Sequence, residues 1–92
     1  MFYYVYVLHN SPKNFLYVGY SGDLKQRLTS HNNGENKSTK AFVPLELIHY
    51  EAYRNKKDAK RRETYLKTTK GRTTLRSMLK EYLSDTKNPK NL

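Results

Sequence analysis

Two segments near the N-terminus, residues 2–9 and 15–20, alternate on a two-residue period, with Asn10, Ser11, Pro12, Lys13 and Asn14 between them. Alternating aromatic and β-branched residues form strands, and a turn cluster of this length makes a hairpin. The chain is therefore expected to begin as two antiparallel strands. In the first, Phe2, Tyr4, Tyr6 and Leu8 share one face, and Tyr3, Val5 and Val7 the other. In the second, Phe15, Tyr17 and Gly19 oppose Leu16, Val18 and Tyr20.

The pattern then changes to a helical one. Ser21 is placed to cap a helix over 22–32, and Gly34 to stop it. Leu24, Arg27, Leu28 and His31 fall on one side of that helix. Residues 33–44 carry the composition of an irregular loop, and 45–51 predicts a third strand. Asn55 caps a second helix, with Asp58 three residues on, running to about residue 69 and ending near Gly71. A last helix over 73–83 bears the stripe Leu75, Met78, Leu79, Tyr82 and Leu83. The expected fold is α+β, order ββαβαα: a small, three-stranded, mostly antiparallel sheet flanked by helices. One domain spans 1–83; the polar tail 84–92, with Pro89, is expected to be disordered.

Ninety-two residues suit a single domain burying about 60% of its extended surface. Only 36% are hydrophobic, and the nine tyrosines and three phenylalanines can supply much of the buried area. The lack of cysteine excludes disulfides and thiolate zinc sites and fits a cytoplasmic protein. No apolar run approaches the ~20 residues of a membrane span. The net charge is +10, and nine of the basic residues lie between Arg54 and Arg72 against two acids, Asp58 and Glu63. A surplus so concentrated points to a polyanion, nucleic acid first among them. A solvated lysine-rich face is the plainer alternative.

Glu63 lies in line with Ala59 and Leu66 on the second helix. An acid facing inward must be paired, protonated or bound to a cation. The structural alternative is a salt bridge to Arg27, Lys67 or Lys60. One glutamate cannot cage a cation, but Mg²⁺ keeps several waters and needs only one or two carboxylates plus substrate phosphate. Arg27 has the planar fork that suits a phosphate, and His31 can pass a proton near neutrality. Each also has an ordinary structural reading, as do Tyr6, Tyr17 and Gly19.

The order and spacing of these pieces resemble the GIY-YIG nuclease superfamily. The resemblance lies in Tyr4-Val5-Tyr6, Tyr17-Val18-Gly19, Asp23-Leu24-x-x-Arg27-Leu28-x-x-His31, Pro44-Leu45-Glu46-Leu47 and Arg62-Glu63, and covers residues 3–83. It is greatest with small stand-alone bacterial members similar to the N-terminal nuclease module of the excinuclease C subunit. It implies a DNA endonuclease of low sequence specificity, serving DNA repair or processing, with one Mg²⁺ or Mn²⁺ ion bound together with DNA. Tyr17 then corresponds to the general base, Tyr6 to its supporting tyrosine, Arg27 to the phosphate-binding arginine and Glu63 to the metal ligand. His31 matches a histidine or tyrosine position. Two departures stand out: Tyr4 replaces the glycine of the first triplet, and an asparagine of several branches has no counterpart, Asn88 lying in the tail.

On this reading Glu63 holds the cation, Arg27 neutralises the phosphate, and Tyr17 takes the water's proton and relays it to His31. An unperturbed phenol costs roughly 4 kcal/mol to ionise at pH 7, which nearby positive charge reduces. Lys60, Arg61, Arg62, Lys67, Lys70 and Arg72, with Lys25, are the expected contacts to the DNA backbone. Any sequence preference would come from a protein partner. The alternatives are a catalytically inactive nucleic-acid-binding module with the same fold, and a basic protein-interaction domain. A membrane-surface role is disfavoured because the basic helix lacks a broad apolar face.

Overall fold

The hairpin forms as β1 (Tyr3–Asn10) and β2 (Phe15–Ser21), antiparallel, with Tyr6 opposite Gly19 and Val7 opposite Val18. This is seen in a computed structural model that describes residues 1–87. The backbone amide of Lys13 donates to Asn10 Oδ1 across the turn, and Asn14 takes a left-handed φ of 51°, which asparagine tolerates better than most residues. A third strand, β3 (Glu46–Tyr53), pairs antiparallel with the free edge of β1, giving the order β2-β1-β3. As the central strand, β1 is covered on both sides, which is why both of its faces are apolar or aromatic.

The register slips by one residue in β3: Val7 faces His49 while Leu8 faces Leu47. The extra residue is Ile48, a bulge. It lets Leu47 join Tyr6, Leu8 and Tyr17 on one side while Ile48 joins Val5, Val7 and Val18 on the other. The first side is covered by α1 (Leu24–Asn32), through Leu24 and Leu28, and by the loop after it, through Phe42, Val43 and Leu45. That loop contains a 3₁₀ turn (Lys40–Phe42) and a cis peptide at Val43–Pro44. The second side is covered by α2 (Lys56–Leu66) and α3 (Thr69–Met78), through Ala59, Leu66 and Leu75. Complete burial of each such leucine contributes roughly 1.5–3 kcal/mol.

The α+β class and the antiparallel sheet are as expected, and the helical ends differ. Ser21 does not cap α1. Asp23 does, accepting from the Gln26 amide, while the Ser21 hydroxyl accepts from the Asp23 amide and so holds the cap. Gly71 does not end α2. Thr68 begins a new helix by accepting from the Gly71 amide, so Gly71 lies in the first turn of α3. A further helix, α4 (Lys80–Lys87), follows after a break at Leu79, and the order becomes ββαβααα. The Leu79 and Leu83 amides still donate to Leu75 and Leu79 carbonyls across the break, which is why the stripe looks continuous. Tyr82 ties α4 to β1 through a 2.9 Å hydrogen bond with the buried His9. Helix thus continues past Leu83 into the expected tail; the rest of that tail, 88–92 with Asn88, lies outside the described residues. No helix among the described residues is long and apolar enough to cross a membrane.

Two contacts make sharp demands. A Cβ on Gly71 would overlap the Tyr65 carbonyl oxygen and Leu66 Cα, both backbone atoms of the last turn of α2. Gly71→Ala should therefore cost about 2 kcal/mol or more, a fall in Tm of roughly 10 °C. Gly22→Ala, where nothing stands within 4 Å, should shift stability by less than about 1 kcal/mol. Equal thermal melts for the two variants would refute the packing argument.

Glu51 fastens β3 to α2. It accepts from Arg62 Nε at 2.9 Å, Arg62 Nη2 at 3.2 Å and the Tyr53 hydroxyl at 2.6 Å, and lies 2.9 Å from His49 Nε2. Burial pushes its pKa up, but the bonds from Arg62, His49 and Tyr53 prevail and lower it to about 2. The unfolded chain therefore takes up this proton first as pH falls. The stabilisation is complete above about pH 4.5 and is lost towards pH 2, an amount of about 3 kcal/mol. Urea melts should show the stability gap between the native chain and Glu51→Gln shrinking by that much over this range. A gap independent of pH would contradict it.

Candidate active site

Tyr6 points to the α1 side of the sheet, and its ring lies over the neighbouring strand β2 at Gly19. A Cβ there would collide with Tyr6 Cζ and the hydroxyl oxygen, so the ring can cross β2 only where no side chain stands. The hydroxyl is thereby carried to His31 of α1, at 2.9 Å from Nε2. The other ring nitrogen of His31 is 2.8 Å from the Thr39 hydroxyl. Tyr6, His31 and Thr39 are all essentially inaccessible to solvent, and every buried side-chain nitrogen and oxygen among the described residues has a partner.

Charged or ionisable groups of three elements, β2, α1 and α2, act here on Tyr6 of a fourth, β1. Burial pushes the Tyr6 pKa up to about 12, Arg27 opposes this by hydrogen bond and charge, and Tyr17 and Glu63 reinforce it. With Tyr6 protonated and the imidazole neutral, the arrangement that satisfies both groups has the Tyr6 hydroxyl donating to His31 Nε2. Its Nδ1–H then donates to Thr39. Burial, and then the charge of Arg27, lower the His31 pKa, so the ring is neutral at pH 7 as this arrangement requires. Arg27 itself is steadied by donating to the Tyr20 carbonyl at 3.2 Å.

Tyr17 is half-buried, with its ring 5.2 Å from His31 and 6.5 Å from Tyr6 in tilted or edge contacts. The expected relay from Tyr17 to His31 is not made, because both nitrogens of His31 bond other groups. Thr39, which fixes the histidine, escapes the sequence reading. It lies in a loop of several serines, threonines and asparagines with no periodicity to single it out.

Glu63 has 12% side-chain exposure and sits between two lysines, Lys60 at 3.2 Å from one oxygen and Lys67 at 3.0 Å from the other. Burial raises its pKa, yet the hydrogen bonds from Lys67 and Lys60 outweigh that and leave it below the ordinary carboxylate range. The carboxylate is ionised. Among the described residues no three His, Cys, Asp or Glu groups gather to hold a metal ion. Glu63 therefore fits only a cation that keeps waters and is completed by substrate oxygens, the habit of Mg²⁺ and Mn²⁺.

The basic residues divide. Lys60 and Lys67 flank Glu63, and Lys60 also lies over the Tyr20 ring at 4.6 Å. Lys25 and Lys70 are exposed. Arg61 is exposed and pairs with Asp58 at 2.7 Å. Arg62 is drawn inward to Glu51, and Arg72 donates to the Leu16 carbonyl of β2 at 3.0 Å. These last two hold the fold together rather than face outward as a free basic surface.

Residues 2–76 match the model of the GIY-YIG catalytic domain. A UPF0213 protein of Streptococcus agalactiae is 43% identical over 65 residues, covering 70% of this chain and 73% of that one. One from Streptococcus pyogenes is 36% identical over 86 residues, 92% of each chain. The solution NMR structure of a UPF0213 protein from Bacillus halodurans superposes with a TM-score of 0.53 at 30% identity, over 85% of both chains. The match of the domain model to most of the chain, together with these relatives, establishes that the chain belongs to the GIY-YIG family, a family of nucleases.

Proposed function

We propose that the chain is a metal-dependent DNA endonuclease that hydrolyses phosphodiester bonds with low intrinsic sequence specificity, in DNA repair or processing. One arrangement carries this reading: Tyr6, Tyr17 and His31 pack ring against ring on the α1 side of the sheet, with Arg27 of α1 and Glu63 of α2 near enough for their charges to bear on Tyr6. A phenol, a guanidinium and an ionised carboxylate together are what hydrolysis of a phosphate diester asks of a protein.

In the proposed reaction, Tyr17 acts as general base and takes a proton from the water that attacks phosphorus, and the bond to the leaving deoxyribose oxygen breaks as that oxygen takes up a proton from solvent. Arg27 neutralises the charge that develops on the non-bridging oxygens. Tyr6, held protonated by burial, keeps Arg27 and His31 in place. Glu63 would hold a Mg²⁺ or Mn²⁺ ion, which supplies Lewis-acid polarisation of the phosphate when bound. Lys60 and Lys67, about half exposed, can leave the carboxylate for DNA phosphates, so their pairing does not bar the cation.

A second reading, a nucleic-acid-binding module without catalysis, is favoured by that same lysine clamp if it stays closed. Incubation of the pure protein with nicked, branched, single-stranded and duplex DNA in Mg²⁺ or Mn²⁺ separates the two. Cleavage should fall by at least about a hundredfold in Glu63→Ala and in Tyr17→Phe, and should survive Lys70→Ala. DNA binding that weakens steeply with salt, without cleavage under any condition, would leave the binding module. Absence of binding would remove both.

A further inference from the structure

We infer that a pocket beside this site receives a single unstacked base of the DNA, next to the phosphate held at Arg27. The inference rests on the nuclease reading and names the form of DNA it would take. The pocket has a volume of about 460 Å³, within the range of sites that enclose a small ligand. Its walls are Tyr4 and Tyr50, with ring centroids 6.0 Å apart and planes at 63°. A flat ring entering this corner meets one tyrosine face and the edge of the other. Leu24, Leu28 and Leu47, each half-buried, form an apolar floor, and exposed Lys25 stands at the rim.

Position and the aromatic walls select the occupant, the rim carrying Asp23 beside Lys25. Tyr4 lies two residues before Tyr6 on the same face of β1, and Tyr50 is the cross-strand partner of Tyr6. Arg27 lies between Leu24 and Leu28 on α1. The pocket and the phosphate site thus share a strand and a helix, so a nucleotide flanking the bound phosphate can reach the corner. Tyr50 is 54% exposed. An aromatic corner with a cation at its rim suits a base whose phosphate meets that cation. A base inside a duplex must unstack and unpair before it enters, and one already unpaired enters most readily.

The test is affinity of the full chain, without added metal, for three DNAs: a duplex, the same duplex with a one-nucleotide bulge, and that bulge made abasic. The native chain should prefer the base-bearing bulge to the other two by about tenfold. Tyr50→Ala should abolish the preference and leave duplex affinity unchanged; the exposed side chain can be truncated without opening the core. Tyr50→Phe should keep it, and Tyr65→Ala, another exposed tyrosine, should do nothing. Equal binding of the base-bearing and abasic bulges, or a preference that survives Tyr50→Ala, overturns the pocket. If duplex binding persists in that case, the nuclease reading stands and the pocket accepts some other group, such as a protein side chain. If no DNA is bound, both readings fail.

Discussion

The position of the Tyr6 hydroxyl depends on an absent side chain. Its ring crosses β2 at the one place, Gly19, where a Cβ would block it, and the hydroxyl then reaches His31 on α1. This single crossing joins the central strand, the edge strand and the helix above them. With a pKa near 12, ionising Tyr6 at pH 7 would cost about 7 kcal/mol. The group is therefore a fixed hydrogen-bond donor rather than a base. Burial separates the two tyrosines. Tyr6 is sealed and bonded, whereas Tyr17 remains open to what binds.

Much of this was legible in the sequence because it follows from alternation. A period of two separates Tyr6 and Tyr17 from Val5, Val7 and Val18, and a period near 3.6 brings Arg27 and His31 to the face that carries Leu24 and Leu28. What could not be read is decided by tertiary contacts. Gly71 looks like a helix stop, yet it sits inside α3 because α3 begins by resting its first turn on the last turn of α2. Thr68, not Gly71, marks the boundary. Ser21 looks like a cap, but its hydroxyl serves Asp23, which caps two residues later. Thr39 has no sequence signal, since its role comes from a loop folding over His31.

Charge was the loudest feature of the composition and the least direct guide to the surface. Arg62 and Arg72 lie in the basic stretch and count towards the net charge of +10, yet both donate to groups of the protein itself. Arg62 binds Glu51 and Arg72 a β2 carbonyl. Arginine suits such roles because its fork satisfies a carboxylate twice over at moderate burial. The lysines of the same stretch do something else. Their long, half-exposed chains reach Glu63 from either side, and each exposed pair alone would contribute little.

Together the two lysines decide the state of Glu63. A carboxylate at 12% exposure tends towards protonation, because desolvation penalises the charge. Lys60 and Lys67 reverse that tendency and keep Glu63 anionic. A protonated acid could not bind a divalent cation, so the residues that compete with a cation are also those that keep the ligand competent to hold one. The competition is resolved by the substrate on the nuclease reading: a DNA backbone offers the lysines phosphate oxygens in exchange for the carboxylate. The same carboxylate would stay clamped without DNA, which couples any cation site at Glu63 to the presence of the strand.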